Sequence, residues 1–120
     1  MFRITLDSEN RSFVPGDRIS GRVEWKNLKG APEKVEIRLI WHTTGKGDQD
    51  CEFVDSVEHS QPKSNGESGF DFVAPSRPFS FSGKLISLTW AIEALVFPSL
   101  DAEQAELVIS SDGKEVILHA

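Results

Sequence analysis

The sequence predicts an all-β fold, a β-sandwich. Apolar and polar residues alternate in a series of short segments, which is the period of a strand with one buried face. Gly, Pro, Asn and Asp recur at short intervals between these segments and favour turns. No segment sustains the 3.6-residue period of an amphipathic helix. We therefore expect two packed sheets and almost no helix.

The segment at 84–94 has the clearest strand pattern in the chain. From residue 86 onward its even-numbered positions are apolar and its odd-numbered positions are mostly polar, and no proline interrupts it. Both edges of this strand are therefore free to form backbone hydrogen bonds. It predicts a central strand whose buried face consists of Ile86, Leu88, Trp90, Ile92 and Ala94.

Three earlier segments show the same alternation. Residues 2–6 predict a short first strand, residues 18–25 a second and residues 35–43 a third. A Pro15-Gly16 turn separates the first two. Within the second strand, Gly21 falls on the apolar face, and a glycine there usually marks the close approach of another backbone.

The remaining strands have weaker patterns. Residues 51–58 predict a strand in which Phe53 and Val57 share one face with Asp55, an unfavourable neighbour for a buried surface. Residues 59–67 are rich in polar and turn-forming types and predict the most mobile loop. Residues 68–74 predict a strand that buries Phe70 and Phe72.

The C-terminal part predicts a crossover followed by a hairpin. Residues 96–102 include Pro98 and Asp101 and are typical of a connection between strands. Two apolar runs, 105–110 and 115–119, then flank Asp112-Gly113, a dipeptide that favours a two-residue hairpin turn.

Length and composition limit the classes of function. The 120 residues predict a single domain, 1–120, large enough to bury its own core. A net charge of -6 disfavours nucleic-acid binding, which depends on clustered Lys and Arg. No apolar run is long enough to span a membrane. Cys51 is unpaired and no signal-peptide pattern is present, so we expect a cytoplasmic protein.

No set of residues predicts catalytic, metal or cofactor chemistry. His42, His59 and His119 lie on different segments without a second ligand at metal spacing. The acidic loop of Asp48, Asp50 and Glu52 lacks the spacing of a calcium loop. We therefore predict neither a metal site nor a cofactor.

Nucleophile chemistry is equally weakly indicated. Cys51 has no family signature around it, and the sequence contains no nucleophile elbow, phosphate loop or dinucleotide fingerprint. Trp25, Trp41 and Trp90 all lie on predicted buried faces, so we assign them to the core. Joint exposure of Trp25 and Trp41 would favour a sugar-binding module instead. We predict that the protein is not an enzyme.

Several of these segments, in order, carry a family resemblance. They are Phe2-x-Ile4-x-Leu6, Phe13-x-Pro15-Gly16-Asp17-x-Ile19-x-Gly21-x-Val23, Val35-x-Ile37-x-Leu39, and Pro78-x-Ser80-Phe81-x-Gly83 followed by Ile86-Ser87-Leu88-x-Trp90-x-Ile92-Glu93-Ala94. The sequence resembles the amino-terminal domain of the arrestin-like family, which includes arrestins, retromer-type subunits and bacterial sporulation-control proteins. The resemblance implies an immunoglobulin-like β-sandwich of the arrestin amino-terminal type that serves as a non-catalytic scaffold or adaptor.

The sequence also departs from that family. Typical members pair two sandwiches, whereas this sequence predicts one, and its loops lack a basic cluster that would match the receptor-binding and phosphate-sensing positions. A single-domain, acidic form resembles the prokaryotic members more than the animal ones. We expect a protein-binding module that uses loops or exposed sheet edges, including homodimer formation through those edges. The alternatives are a small carbohydrate-binding module or hydrolase, and a structural protein that assembles edge to edge.

Overall fold

The computed structural model describes residues 2–45, 50–82, 86–111 and 116–117. Within these ranges the chain forms strands, turns and loops and contains no helix. Consequently none of the described residues forms a helix able to cross a membrane. The predicted all-β class is confirmed.

The described residues form ten strands. In chain order these are β1 (Phe2–Leu6), β2 (Ser12–Phe13), β3 (Arg18–Trp25), β4 (Lys34–Gly45), β5 (Cys51–Ser60), β6 (Gly66–Val73), β7 (Phe81–Ser82), β8 (Ile86–Phe97), β9 (Ala102–Ile109) and β10 (Val116–Ile117).

The strands form two sheets that pack as a sandwich. The small sheet has the order β1-β3-β6. The large sheet has the order β10-β7-β8-β4-β5, with β9 added beside β8 and β2 beside β9. Two of the described pairings are parallel, β2 with β9 and β10 with β7. The other described pairs are antiparallel.

Strand β8 is central, as its pattern predicts. It pairs with β4 along one edge over its whole length, while β7 and β9 share the other edge. Trp90 is fully buried, and its indole Nε1 donates a hydrogen bond of 2.7 Å to the Pro78 carbonyl oxygen. The turn before β8 therefore satisfies the one polar atom of this core side chain.

The core lies between the sheets and is built by the alternation read from the sequence. The small sheet contributes alternate residues of β3 and β6, and the large sheet contributes alternate residues of β4, β8 and β9. The main contributors are Ile19, Val23, Trp25, Phe70, Phe72, Val35, Ile37, Leu39, Trp90, Ile92 and Leu107.

Gly21 occupies the close approach that the sequence predicts. A Cβ atom added at this position would lie 2.1 Å from the Thr5 carbonyl oxygen of β1 and 2.9 Å from the Phe70 ring. The first contact is with backbone, which cannot rotate away. Any side chain here would therefore push β1 from β3.

Both predictions for the C-terminal part are wrong. Strand β8 continues to Phe97, and residues 98–101 return the chain directly into β9, with Leu95 opposite Ala102. Adjacent antiparallel strands need only this short turn, not a crossover. The predicted Asp112-Gly113 turn lies outside the described residues, and β10 pairs with β7 instead of β9.

Candidate functional site

Strand β5 is the most exposed element of the sandwich. All ten of its residues are exposed, and among the described strands it pairs with β4 alone. It nevertheless carries three large apolar side chains, Phe53, Val54 and Val57, of which Phe53 is 56% exposed. Edge strands are usually short or covered, because their free N–H and C=O groups attract other strands. Strand β5 is ten residues long, and its residues are exposed, so it is neither short nor covered.

A bulge explains the poor alternation of β5. Asp55 lies opposite Leu39 and Phe53 lies opposite Ile40, so Val54 has no partner on β4. Directly opposed residues share a face. Asp55 therefore faces the same side as the core residue Leu39, whereas Phe53 faces the outer side. The prediction that Phe53 and Val57 share a face is wrong, because the extra residue reverses the alternation.

A cleft separates β5 from β6 along this open side. Its volume is about 480 Å³, and its walls are Asp55, Ser56 and Val57 of β5 and residues 69–72 of β6. Strand β6 pairs only with β3 among the described strands, so each sheet ends at this cleft with a free edge. Two free edges therefore border one opening into the sandwich.

The loop between β5 and β6 joins the two strands that border the cleft. It comprises residues 61–65 and is held by hydrogen bonds: Trp25 Nε1 donates to the Lys63 carbonyl oxygen at 3.0 Å, and Leu28 N–H donates to the Ser64 carbonyl oxygen at 3.0 Å. The His59 ring also meets the Trp25 ring edge-on at 5.5 Å. The predicted long loop is therefore shorter than expected and well anchored.

An ion cluster lies on the outer face of the large sheet, beside β5. Glu36 is almost fully buried there, and Arg38 Nε donates to its carboxylate at 2.7 Å. This hydrogen bond lowers the pKa of Glu36 against the opposing effect of burial, and Lys34 adds a further favourable charge. The Arg38 guanidinium also lies 4.9 Å from the centre of the Phe53 ring. The cluster thus fixes the strand neighbouring the exposed edge.

The weak metal candidates are not assembled into a site. Within the described residues no group of three or more His, Cys, Asp or Glu side chains is arranged to hold a metal ion. His42 lies on β4 and His59 on β5, while His119 and Asp48 are outside the described residues. The backbone N–H of Asp50 donates to Thr43 Oγ1 at 2.9 Å, which ties the end of the acidic loop to β4.

Cys51 and His42 are brought together. They are directly opposed on β5 and β4, beside a hollow of about 280 Å³ that Thr43, Asp50 and Gln104 also line. Within the described residues no hydrogen bond joins the thiol to the imidazole. The Cys51 thiol is exposed and free of any disulfide. This pair places a possible nucleophile beside a possible base.

The tryptophans are not a sugar-binding platform. Trp25 and Trp90 are buried, and Trp41 is half-buried against the core. The joint exposure of Trp25 and Trp41 that would favour a sugar site is not found. The sequence therefore anticipated the buried surfaces well, but it missed the exposed face of β5. The signal that could have shown it was the polar residues Glu52, Asp55 and Glu58 interspersed among the apolar ones.

The architecture defines the class of protein: a β-sandwich with the arrestin-like fold. The chain is similar in structure to Spo0M, the sporulation control protein of Bacillus subtilis, with a TM-score of 0.61 and 15% sequence identity. The match covers 91% of this chain and 48% of Spo0M, so the chain spans about half the length of that protein. The predicted relation to the sporulation-control arrestin-fold proteins is confirmed at the level of the fold.

The likeness is one of structure. In all, 48 chains of solved structures match the fold. No family model matches the sequence, and no curated protein is similar to it in sequence. At this level of identity the comparison supports the architecture, and the function must be argued from the surface of the molecule.

Proposed function

We propose that the chain is a non-catalytic protein-binding module that receives a segment of a partner protein along the free edge of β5. The observation that carries this proposal is the combination of length, exposure and apolar side chains in one edge strand. An added strand gains main-chain hydrogen bonds from the edge and side-chain contacts with both faces. The adaptor role that the arrestin-like resemblance implies agrees with such binding.

The β5 edge is favoured over the free edge of β1. Strand β1 has five residues, and its apolar side chains Phe2, Ile4 and Leu6 already pack against the core. Strand β5 has ten residues, and its large apolar side chains remain exposed. Burying them therefore gains more free energy on binding.

Random peptides displayed on phage and captured by the immobilised chain would test this proposal. We expect enriched extended sequences whose binding is weakened by Val57→Lys, because Val57 lies on the wall of the cleft. The matched control is Val73→Lys, which changes an exposed valine on β6 outside the cleft. Enriched peptides that bind Val57→Lys as tightly as the unaltered protein would contradict a β5 site.

The hydrolase alternative has one observation in its favour, the opposed Cys51 and His42. Turnover of activated esters and thioesters by the purified chain, lost in both Cys51→Ala and His42→Ala, would establish it and overturn the non-catalytic proposal. We expect no turnover above that of the Cys51→Ala variant.

We also propose a cytoplasmic location, because an exposed free thiol such as Cys51 persists in a reducing compartment. Fractionation of cells that produce the protein would test this, and recovery from an oxidising compartment would contradict it.

A further inference from the structure

The two strands that border the cleft, β5 and β6, are acidic. They carry Glu52, Asp55, Glu58, Glu67 and Asp71 and contain no Lys or Arg. Cations on neighbouring strands pair with three of these carboxylates: Lys34 with Glu58, Arg22 with Glu67 and Arg18 with Asp71. Within the described residues, Glu52 and Asp55 have no ion pair. An excess of negative charge therefore remains on β5 itself.

The unpaired charge is placed beside apolar surface. Asp55 and Val57 are two residues apart on the cleft face, and the ring of Phe72 forms part of the opposite wall. On the outer face, Phe53 is exposed next to Arg38. A strand added to β5 would thus meet a carboxylate and a valine on one face and an aromatic ring on the other.

We infer that the β5 edge takes an extended segment in which basic and apolar side chains alternate with small polar ones. This inference rests on the proposed function and specifies the chemistry of the partner. The antiparallel strand places an apolar side chain opposite Val57, a Lys or Arg opposite Asp55, and an apolar side chain beside Phe53. Opposite charges on directly opposed residues stabilise strand pairing, and like charges destabilise it.

The same charges disfavour a second copy as the occupant. Self-pairing of β5 would bring two strands together that each carry three carboxylates and neither Lys nor Arg. The whole chain also has a net charge of -6. A basic segment removes this repulsion, whereas a homodimer through β5 doubles it.

The probe is a fluorescein-labelled peptide, Thr-Val-Thr-Lys-Val-Lys-Thr-Val, titrated into the full chain and followed by fluorescence anisotropy. Three comparison peptides isolate the contributions: one with Gln in place of both Lys, one with Glu in place of both Lys, and one N-methylated at alternate backbone amides. We expect the Lys peptide to bind most tightly and to lose affinity as salt is raised. The Glu and N-methylated peptides should not bind.

The protein variants locate the contact. Asp55→Asn should weaken binding of the Lys peptide about twofold to fivefold, the effect expected for one solvent-accessible ion pair. Glu103→Gln is the matched control, since it removes an exposed carboxylate from β9, and it should leave affinity unchanged. Thermal unfolding of both variants checks that the fold is retained.

Two outcomes overturn the inference and are distinguishable from failure of the proposed function. Equal binding of the Lys and Gln peptides, unaffected by Asp55→Asn, would remove the basic preference while leaving edge binding intact. The basic preference would also be removed if none of the four peptides bound while phage selection yielded neutral or acidic peptides whose binding depends on Val57. Light scattering that shows a dimer broken by Val57→Lys would make a second copy the occupant.

Discussion

Replacing Trp90 by alanine tests the assignment of the buried face of the central strand. The indole is fully buried between the sheets, and its Nε1 bonds to the Pro78 carbonyl oxygen. Loss of a buried large aromatic ring costs about 3–5 kcal/mol of unfolding free energy, since the surrounding side chains relax only partly into the cavity. The substitution also leaves the Pro78 carbonyl oxygen without its hydrogen bond, which costs about 1 kcal/mol more. The expected total is therefore near the upper end of this range.

The free energy of unfolding is measured by urea denaturation followed by circular dichroism. A domain of this size is stable by about 5–15 kcal/mol, so Trp90→Ala removes a large share of that stability. Trp90→Phe keeps most of the apolar contact and loses the hydrogen bond, and it should cost about 1–2 kcal/mol. A loss below about 1 kcal/mol for Trp90→Ala would mean that the face assignment of β8 is inverted.

Two further perturbations test other parts of the structure. Gly21→Ala should destabilise the protein by about 1–3 kcal/mol or more, because the new Cβ meets the Thr5 carbonyl oxygen at 2.1 Å. Gly69→Ala is the control in the same denaturation assay, since its added Cβ would have its nearest neighbour at 3.7 Å. Glu36 has a pKa lowered by its hydrogen bond from Arg38, so the stability it contributes is complete above its unfolded pKa and is lost as pH falls through the folded value. We therefore expect Glu36→Gln to reduce the loss of stability as the pH falls below the ordinary pKa range of a glutamate. Glu103→Gln should not have this effect, and equal pH profiles for Glu36→Gln and the unaltered protein would contradict the ion cluster.

Sequence patterns predict features that depend on residues close together in the chain, and they fail for features that depend on pairing between distant strands. Alternation over a few residues predicts β3 and β8 correctly, because the polarity of each side chain already indicates the face that it occupies. The close approach at Gly21 was likewise predictable, since a glycine on the apolar face of a strand leaves room for a neighbouring backbone. The bulge at Val54 was not, because it depends on how β5 pairs with Leu39 and Ile40 of another strand.

The candidate site was the least predictable part. Phe53 and Val57 are apolar and belong by composition to a core, yet both are exposed. Val57 is exposed because the small sheet is narrower and its edge strand β6 leaves β5 uncovered, whereas Phe53 is exposed because the bulge turns it to the outer face. No local pattern in residues 51–60 encodes the width of a sheet built from other parts of the chain.

By itself, the sequence determined the all-β class, the arrestin-like resemblance and most of the buried faces. These depend on the period of side chains along each strand, and that period is a local property. Only the tertiary structure decided that β9 returns directly after β8 and that β5 remains an open edge beside β6. Such features depend on which distant strands become neighbours, and backbone hydrogen bonding permits many pairings among segments of similar pattern.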